Sequence, residues 1–249
     1  MRKNILLIIM LLITSFLLSE TLRFECDYWA PFNATPDSDE PGFQVEVTKK
    51  IFEDAGYEVE YVLIPFTRAL QNVASGAAHG TFGLYDAEAE ANNLLLPKNN
   101  LGVGKTYFYV LQESNWGYDG LSSLENQMLG VIQDYGYDES DVDEYIEENK
   151  NTLKVQAMAG DNGLETNIKK LLAGRITVTL EDESVMNWQL KKMGLTGKFK
   201  KAGMLDEAYN LYVAFTPTRP ELVEIFDKGY EKLEKSGELK KILDKYGVE

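Results

Sequence analysis

The sequence predicts an α/β protein folded as two lobes joined by a hinge of two chain crossings. Two observations carry this reading. The order β-α-β-α-β occurs twice along the chain, and one more strand and helix follow the second run. A single strand and helix are too little for a third domain, so they return to complete the first lobe and take the chain across the junction again.

The first strand lies in LRFECDYW, residues 22–29. From Gly42 to Tyr57 the spacing of Val47, Ile51, Phe52 and Ala55 makes one apolar helical face, which Gly56 ends. Residues 58–64 read as a strand, 67–76 as a helix with Leu70, Val73 and Ala74 inward, and 80–85 as a strand. In the second half, strands at 129–133, 153–159 and 175–181 alternate with helices at 139–149 and 164–174. The segments LQNVASGAAHGTFGLYD and IKKLLAGRITVTLED echo each other: apolar helix, Gly stop, strand, acidic end. After residues 184–194 come a strand at 210–215 and an amphipathic helix with Leu222, Phe226, Tyr230 and Leu233 in register. The crossings then fall near Lys105 to Tyr107 and near Asp206 to Asn210. Lobe one is expected over residues 20–105 and 211–249, and lobe two over 106–210. A hinge between two such lobes makes a cleft that closes on a ligand.

The start of the chain reads as a signal peptide, residues 1–19. Arg2 and Lys3 precede an apolar run from Ile5 to Leu18, broken only by Thr14 and Ser15, and Ser19 and Glu20 turn polar. The run is shorter than the roughly 20 residues that span a bilayer. A periplasmic or secreted protein is expected after cleavage. With Cys26 alone, no internal disulfide can form, and a buried thiol is expected there. Against 25 basic residues stand 40 acidic ones, a net charge of −15, which repels a nucleic acid backbone. The acidic run YDESDVDEYIEENK sets Val142, Tyr145 and Ile146 on one face, as in a solvated helix, and lacks the Gly-centred loop of a calcium site.

With that architecture in view, several pieces in order and spacing resemble the family 3 extracellular solute-binding proteins, the amino-acid-binding components of ABC importers. They are YWAPFN, GFQVEVTKKIFEDAG, PFTRALQNVASG, GLSSLENQMLGVIQDYG, LLAGRITVTLED and the closing ELVEIFDKGYEKLEKSGELKKILDKYG. The resemblance implies a type II periplasmic-binding-protein fold. It places ligand contacts at strand ends: Asp27, Tyr28 and Trp29; Phe66; Gly83 to Tyr85; Gln133 to Tyr137; and Glu181 with Asp182. It implies a monomer that binds a small polar molecule, an amino acid or related amine, and delivers it to an ABC permease in the membrane, with no cofactor, no metal and no catalysis.

In amino-acid binders of this family, a Thr and then an Arg follow the strand equivalent to TFGLY, and the Arg clamps the α-carboxylate. Here Tyr85 and Glu90 stand at those places. Two other routes to a carboxylate stay open, Arg68 one helix earlier and the helix N-terminal amides near Gln133, Asp134 and Tyr137. Asp182, with Glu181 beside it, is the implied partner of an ammonium. Glu90 reads otherwise as a helix-capping residue facing water.

Trp29, Tyr28, Phe66 and Tyr85 read either as an aromatic box for a cationic group or as core rings, whereas Trp116 and Trp188 read as packing. His79 has no second His or Cys to complete a metal pattern and reads as structural. Gly76 stops a helix, and Gly83 would let a ligand approach the backbone. Two alternatives stand beside transport: a dehydratase-like enzyme acting on prephenate or arogenate, which needs a cleft acid and a cationic grip, and a ligand-sensing module.

Overall fold

The computed structural model describes residues 19–133, 135–137, 141–205 and 207–248. The segment up to residue 18, which the sequence reads as a signal peptide, Asp134 and Asp206 at the second crossing lie outside them.

The chain opens with β1 (Thr21–Cys26), α1 (Phe43–Asp54), β2 (Glu58–Leu63), α2 (Phe66–Ser75), β3 (Gly80–Leu84) and α3 (Asp86–Ala91). Through β4 (Val103–Gly104) it enters β5 (Thr106–Leu111), β6 (Leu129–Ile132), α4 (Asp141–Asn149), β7 (Val155–Met158), α5 (Gly163–Leu172), β8 (Val178–Asp182), α6 (Glu183–Lys192) and β9 (Phe199–Met204). It returns through β10 (Tyr209–Asn210) to β11 (Tyr212–Phe215), α7 (Glu221–Ser236) and α8 (Glu238–Tyr246).

Each lobe is built on one sheet. The first has strand order β11-β3-β1-β2, with β1 parallel to β2 and β3, and β11 antiparallel at the edge. The second has order β7-β6-β8-β5-β9, with β5 antiparallel to both neighbours. Two strands of this sheet, β5 and β9, fall where the sequence reading placed hinge and connection. TYFYVL carries strand propensity but lies outside the repeated β-α-β-α-β order, and FKKAGM is a polar edge strand without clean alternation.

The cores explain why each sheet is covered. Phe24, wholly buried on β1, stacks on Phe82 at 5.5 Å and meets Phe52 at 5.8 Å and Phe215 at 6.2 Å. One ring thus joins β1, β3, β11 and α1. In the second lobe Phe108 stacks on Tyr118 at 4.0 Å and packs on Trp116 at 5.9 Å, whose indole N–H donates to the Ser123 carbonyl at 3.0 Å. His79 is part of the scaffold: its Nδ1 accepts the Arg23 N–H at 2.9 Å, and its own N–H donates to the Arg23 carbonyl at 2.8 Å. Burial, with Arg219 nearby, lowers its pKa and keeps that nitrogen free to accept.

Between the lobes the two crossings pair as a short antiparallel ribbon, Val103 with Asn210 and Gly104 with Tyr209. A Cβ on Gly104 would stand 2.4 Å from the Tyr209 ring, so the ring can lie on the ribbon only because residue 104 has no side chain. The Tyr209 hydroxyl sits 3.1 Å from Thr106 Oγ1.

Phe24→Ala is expected to destabilise the protein by about 3–5 kcal/mol through the cavity it leaves, read as a lower urea midpoint for unfolding.

Candidate functional site

The ends of β1, β2 and β3 in one lobe and of β6, β7 and β8 in the other lead into the junction, the position at which α/β sheets hold ligands. A cleft of about 770 Å³ lies there. Asp27, Tyr28, Trp29 and Phe66 border it from the first lobe, and Gln133, Tyr135 and Glu181 from the second.

Local structure holds the first-lobe groups in place. Asn33, fully buried, donates its side-chain N–H to the Asp27 carbonyl at 2.7 Å, and the Trp29 N–H donates to the Asn33 carbonyl at 2.8 Å. Trp29 stacks on Phe32 at 4.3 Å. Its ring also fills the space over Gly83, whose φ is 78°; a Cβ there would come within 3.2 Å of the indole. The opening left by Gly83 therefore receives Trp29, where a ligand was expected.

Hydrogen bonds between described residues of the two lobes cross the cleft. Trp29 Nε1–H donates to Glu181 Oε1 at 3.2 Å, and the Tyr135 hydroxyl donates to Asp27 Oδ2 at 2.5 Å. The Phe66 ring meets Tyr135 edge-on at 6.3 Å, and Lys192 Nζ lies 5.6 Å from the Tyr28 ring centre.

Glu181 is 5% exposed, and burial, with Asp182 and Asp27 close by, pushes its pKa up to about 8. Its Oε1 accepts from Trp29 and from the Asp182 N–H at 3.0 Å. Among the described residues no hydrogen bond reaches Oε2. Burial also raises the pKa of Asp27, against the lowering effect of the Tyr135 hydroxyl.

Other expected site residues are placed differently. Asp182 does not border the cleft. Its Oδ1 accepts the Ser184 and Val185 N–H groups at 2.7 and 3.2 Å, capping α6, and its Oδ2 accepts the Lys105 N–H at 2.8 Å. The ammonium expected on Asp182 finds those oxygens already committed to backbone. Tyr137 is buried in the second-lobe core, where its hydroxyl accepts the Ile132 N–H at 2.9 Å. Arg68 is exposed on α2 and does not border the cleft, nor does Glu90, exposed on α3. Tyr85 and Gly83 border a smaller pocket of about 70 Å³ that shares Asp27, Trp29, Phe66 and Tyr135 with the cleft.

The cleft also has groups that the sequence reading did not name: Asp161, Asn162 and Glu165 after β7, and Gln189 and Lys192 on α6. Asp161 and Asn162 follow a strand end in a Gly-Asp-Asn-Gly turn, so the strand-end rule could have found them, and Glu165 lies in the first turn of α5 just beyond. The last two sit on the inner face of a helix and left no such signal. Among the described residues, its ionisable carboxyls are Asp27, Asp161, Glu165 and Glu181, its one lysine is Lys192, and no arginine borders it.

Comparisons with known proteins agree with this fold. The model of bacterial extracellular solute-binding proteins, family 3, matches residues 25–249. A histidine kinase sensor domain with similarity to periplasmic binding proteins superposes with a TM-score of 0.74 at 19% identity, covering 92% of this chain and 97% of its own. An ancestral arginine-binding protein bound to arginine gives 0.71 at 19%, covering 91% and 97%. A substrate-binding protein of an ABC uptake transporter from Streptococcus pneumoniae, with bound histidine, gives 0.72 at 16%, covering 91% and 92%. No curated protein matches the chain in sequence. Among the described residues no helix is long and apolar enough to cross a membrane.

The raised pKa of Glu181 has a sign that can be measured. The unfolded carboxyl loses its proton near 4.5 and the folded one near 8, so between these values the folded state binds more protons and loses stability as pH rises. Asp182, at about 6, adds to the slope only below that value, and His79, held below 6.5, opposes it only below 6.5. Thermal melts between roughly pH 6.5 and 8 should therefore show a decline that Glu181→Gln flattens. An unchanged decline in the variant would assign it to another group. Asp182→Ala is expected to cost about 1–3 kcal/mol of stability, from the lost cap and hinge bond, in the same denaturation experiment.

Proposed function

The chain belongs to family 3 of the bacterial extracellular solute-binding proteins, and from that premise we propose that it captures a small, positively charged solute outside the cytoplasm, an amino acid or related amine, and presents it to an ABC permease. The observation that carries this reading is Glu181: a buried carboxyl at the junction of two lobes, with one oxygen bonded and the other left for a donor. Arginine and histidine bound to two of the similar structures are consistent with a cationic or amine ligand. The signal peptide of residues 1–19 would export the chain.

The mechanism is closure of the cleft. Asp27 and Trp29 come from one lobe and Tyr135 and Glu181 from the other, so a ligand that touches both sets favours the closed state by its differential affinity. The ribbon of β4 and β10 is the element about which the lobes turn. The permease would then recognise the closed arrangement. A dehydratase-like role lacks support, because it requires a cationic grip and the cleft has no arginine among its described residues.

A sensing role is the second reading, favoured by the likeness to the kinase sensor domain. Uptake of a labelled ligand by cells separates the two: deleting the gene should abolish uptake if the protein feeds a permease, and leave it intact if the protein only senses.

A thermal-shift screen of amino acids and amines tests the binding reading itself. A ligand at 100 times its dissociation constant is expected to add about 2.7 kcal/mol of stability, and Glu181→Gln to remove about 1.5–3 kcal/mol of binding, the loss of a charge-assisted hydrogen bond. A screen in which no compound raises the melting temperature would overturn it.

A further inference from the structure

We propose that the ligand carries ammonium or guanidinium groups and no carboxylate, so that it is a decarboxylated amine and not an amino acid. The proposal rests on the binding reading above and narrows its ligand class.

Among the described residues the cleft offers a built acceptor and no cationic side chain buried in its wall. Glu181, 95% buried, turns a carboxyl into the cavity with Oε1 held by Trp29 and its own neighbour's amide, and with Oε2 open. An ammonium brings N–H donors to this oxygen and displaces the proton that burial favours there in the empty cleft. A carboxylate brings none, and meets Asp27 and Glu181 on opposite walls.

The cations that would grip a carboxylate are elsewhere. Arg23 is engaged by Glu25 and Glu60, and Arg219 by Glu20 and Glu221. Arg68 is exposed on α2 outside the cleft, and Arg175 precedes β8 at the end opposite Glu181. Lys192 stands exposed at the margin beside Tyr28, where water screens its charge. The loop after β3 leads into α3 with Asp86, Glu88 and Glu90. The first turn of α5 also borders the cavity, yet Glu165 within it and Asp161 just before it oppose an anion.

Matched pairs that differ by one carboxylate decide the matter: cadaverine with lysine, putrescine with ornithine, agmatine with arginine. Calorimetry on the exported chain is expected to show, in at least one pair, the amine binding about tenfold or more tightly than its parent amino acid, with the amine's affinity falling by about tenfold or more in Glu181→Gln. If any amino acid binds more tightly than every amine, the inference is overturned while the binding reading stands. Equal affinities within every pair also overturn it, since the carboxylate would then be tolerated. If no amine and no amino acid binds, both fall together.

Discussion

Glu181 is the last residue but one of a strand whose five residues are all buried, and its carboxyl sits where an ionised group loses most of its hydration. Such a group costs several kcal/mol unless partners replace the water. The fold supplies an indole N–H and a backbone N–H, both to one oxygen, and leaves the other to a proton or to a cation that enters. Much of the cleft is arranged to meet that demand. Trp29 has to reach across the junction, so its turn is tied by Asn33 and its ring is given room by Gly83. Tyr135 does for Asp27, from the opposite lobe, what Trp29 does for Glu181.

The same strand end also connects the cleft to the hinge. Asp182, next to Glu181, holds the Lys105 amide just beyond β4, and in the same carboxyl it caps α6, whose far end carries Lys192 at the cleft margin. A shift of the Glu181 strand end would therefore pull on the ribbon and on α6 together. Phe32, Phe43, Val185, Leu211 and Tyr246 form one apolar cluster that draws on both lobes, so hydrocarbon contact as well as hydrogen bonds joins them.

The repeated strand-helix order made most of the fold readable, because two β-α-β-α-β runs and a returning strand admit few topologies. The strands β5 and β9 were hidden because antiparallel additions to a parallel sheet break no local rule. At the site, strand ends pointed to Asp27, Trp29, Phe66, Gln133 and Glu181, which do border the cleft. Between Glu181 and Asp182 the sequence had no means of choosing. Successive residues at a strand end face opposite ways, and both are acids, so only the register of β8 against β5 decides which one meets the ligand space. Arg68 was plausible from its distance along the chain, but its place on the helix turns it to solvent. Gln189 and Lys192 reach the cleft from a helix face, which depends on how α6 lies across the sheet.

The edge position of β11 orders events during synthesis. Its pairing partner β3 leaves the ribosome more than a hundred residues earlier, and the two are separated by every strand of the other sheet. The contiguous lobe can close its core as soon as β9 has emerged, whereas the other must hold Phe82 and Phe24 without their cover until Phe215 and Phe226 arrive. The half-made sheet spends that interval with an apolar edge open to other chains. The nascent protein is thus most exposed to aggregation in the lobe that was translated first.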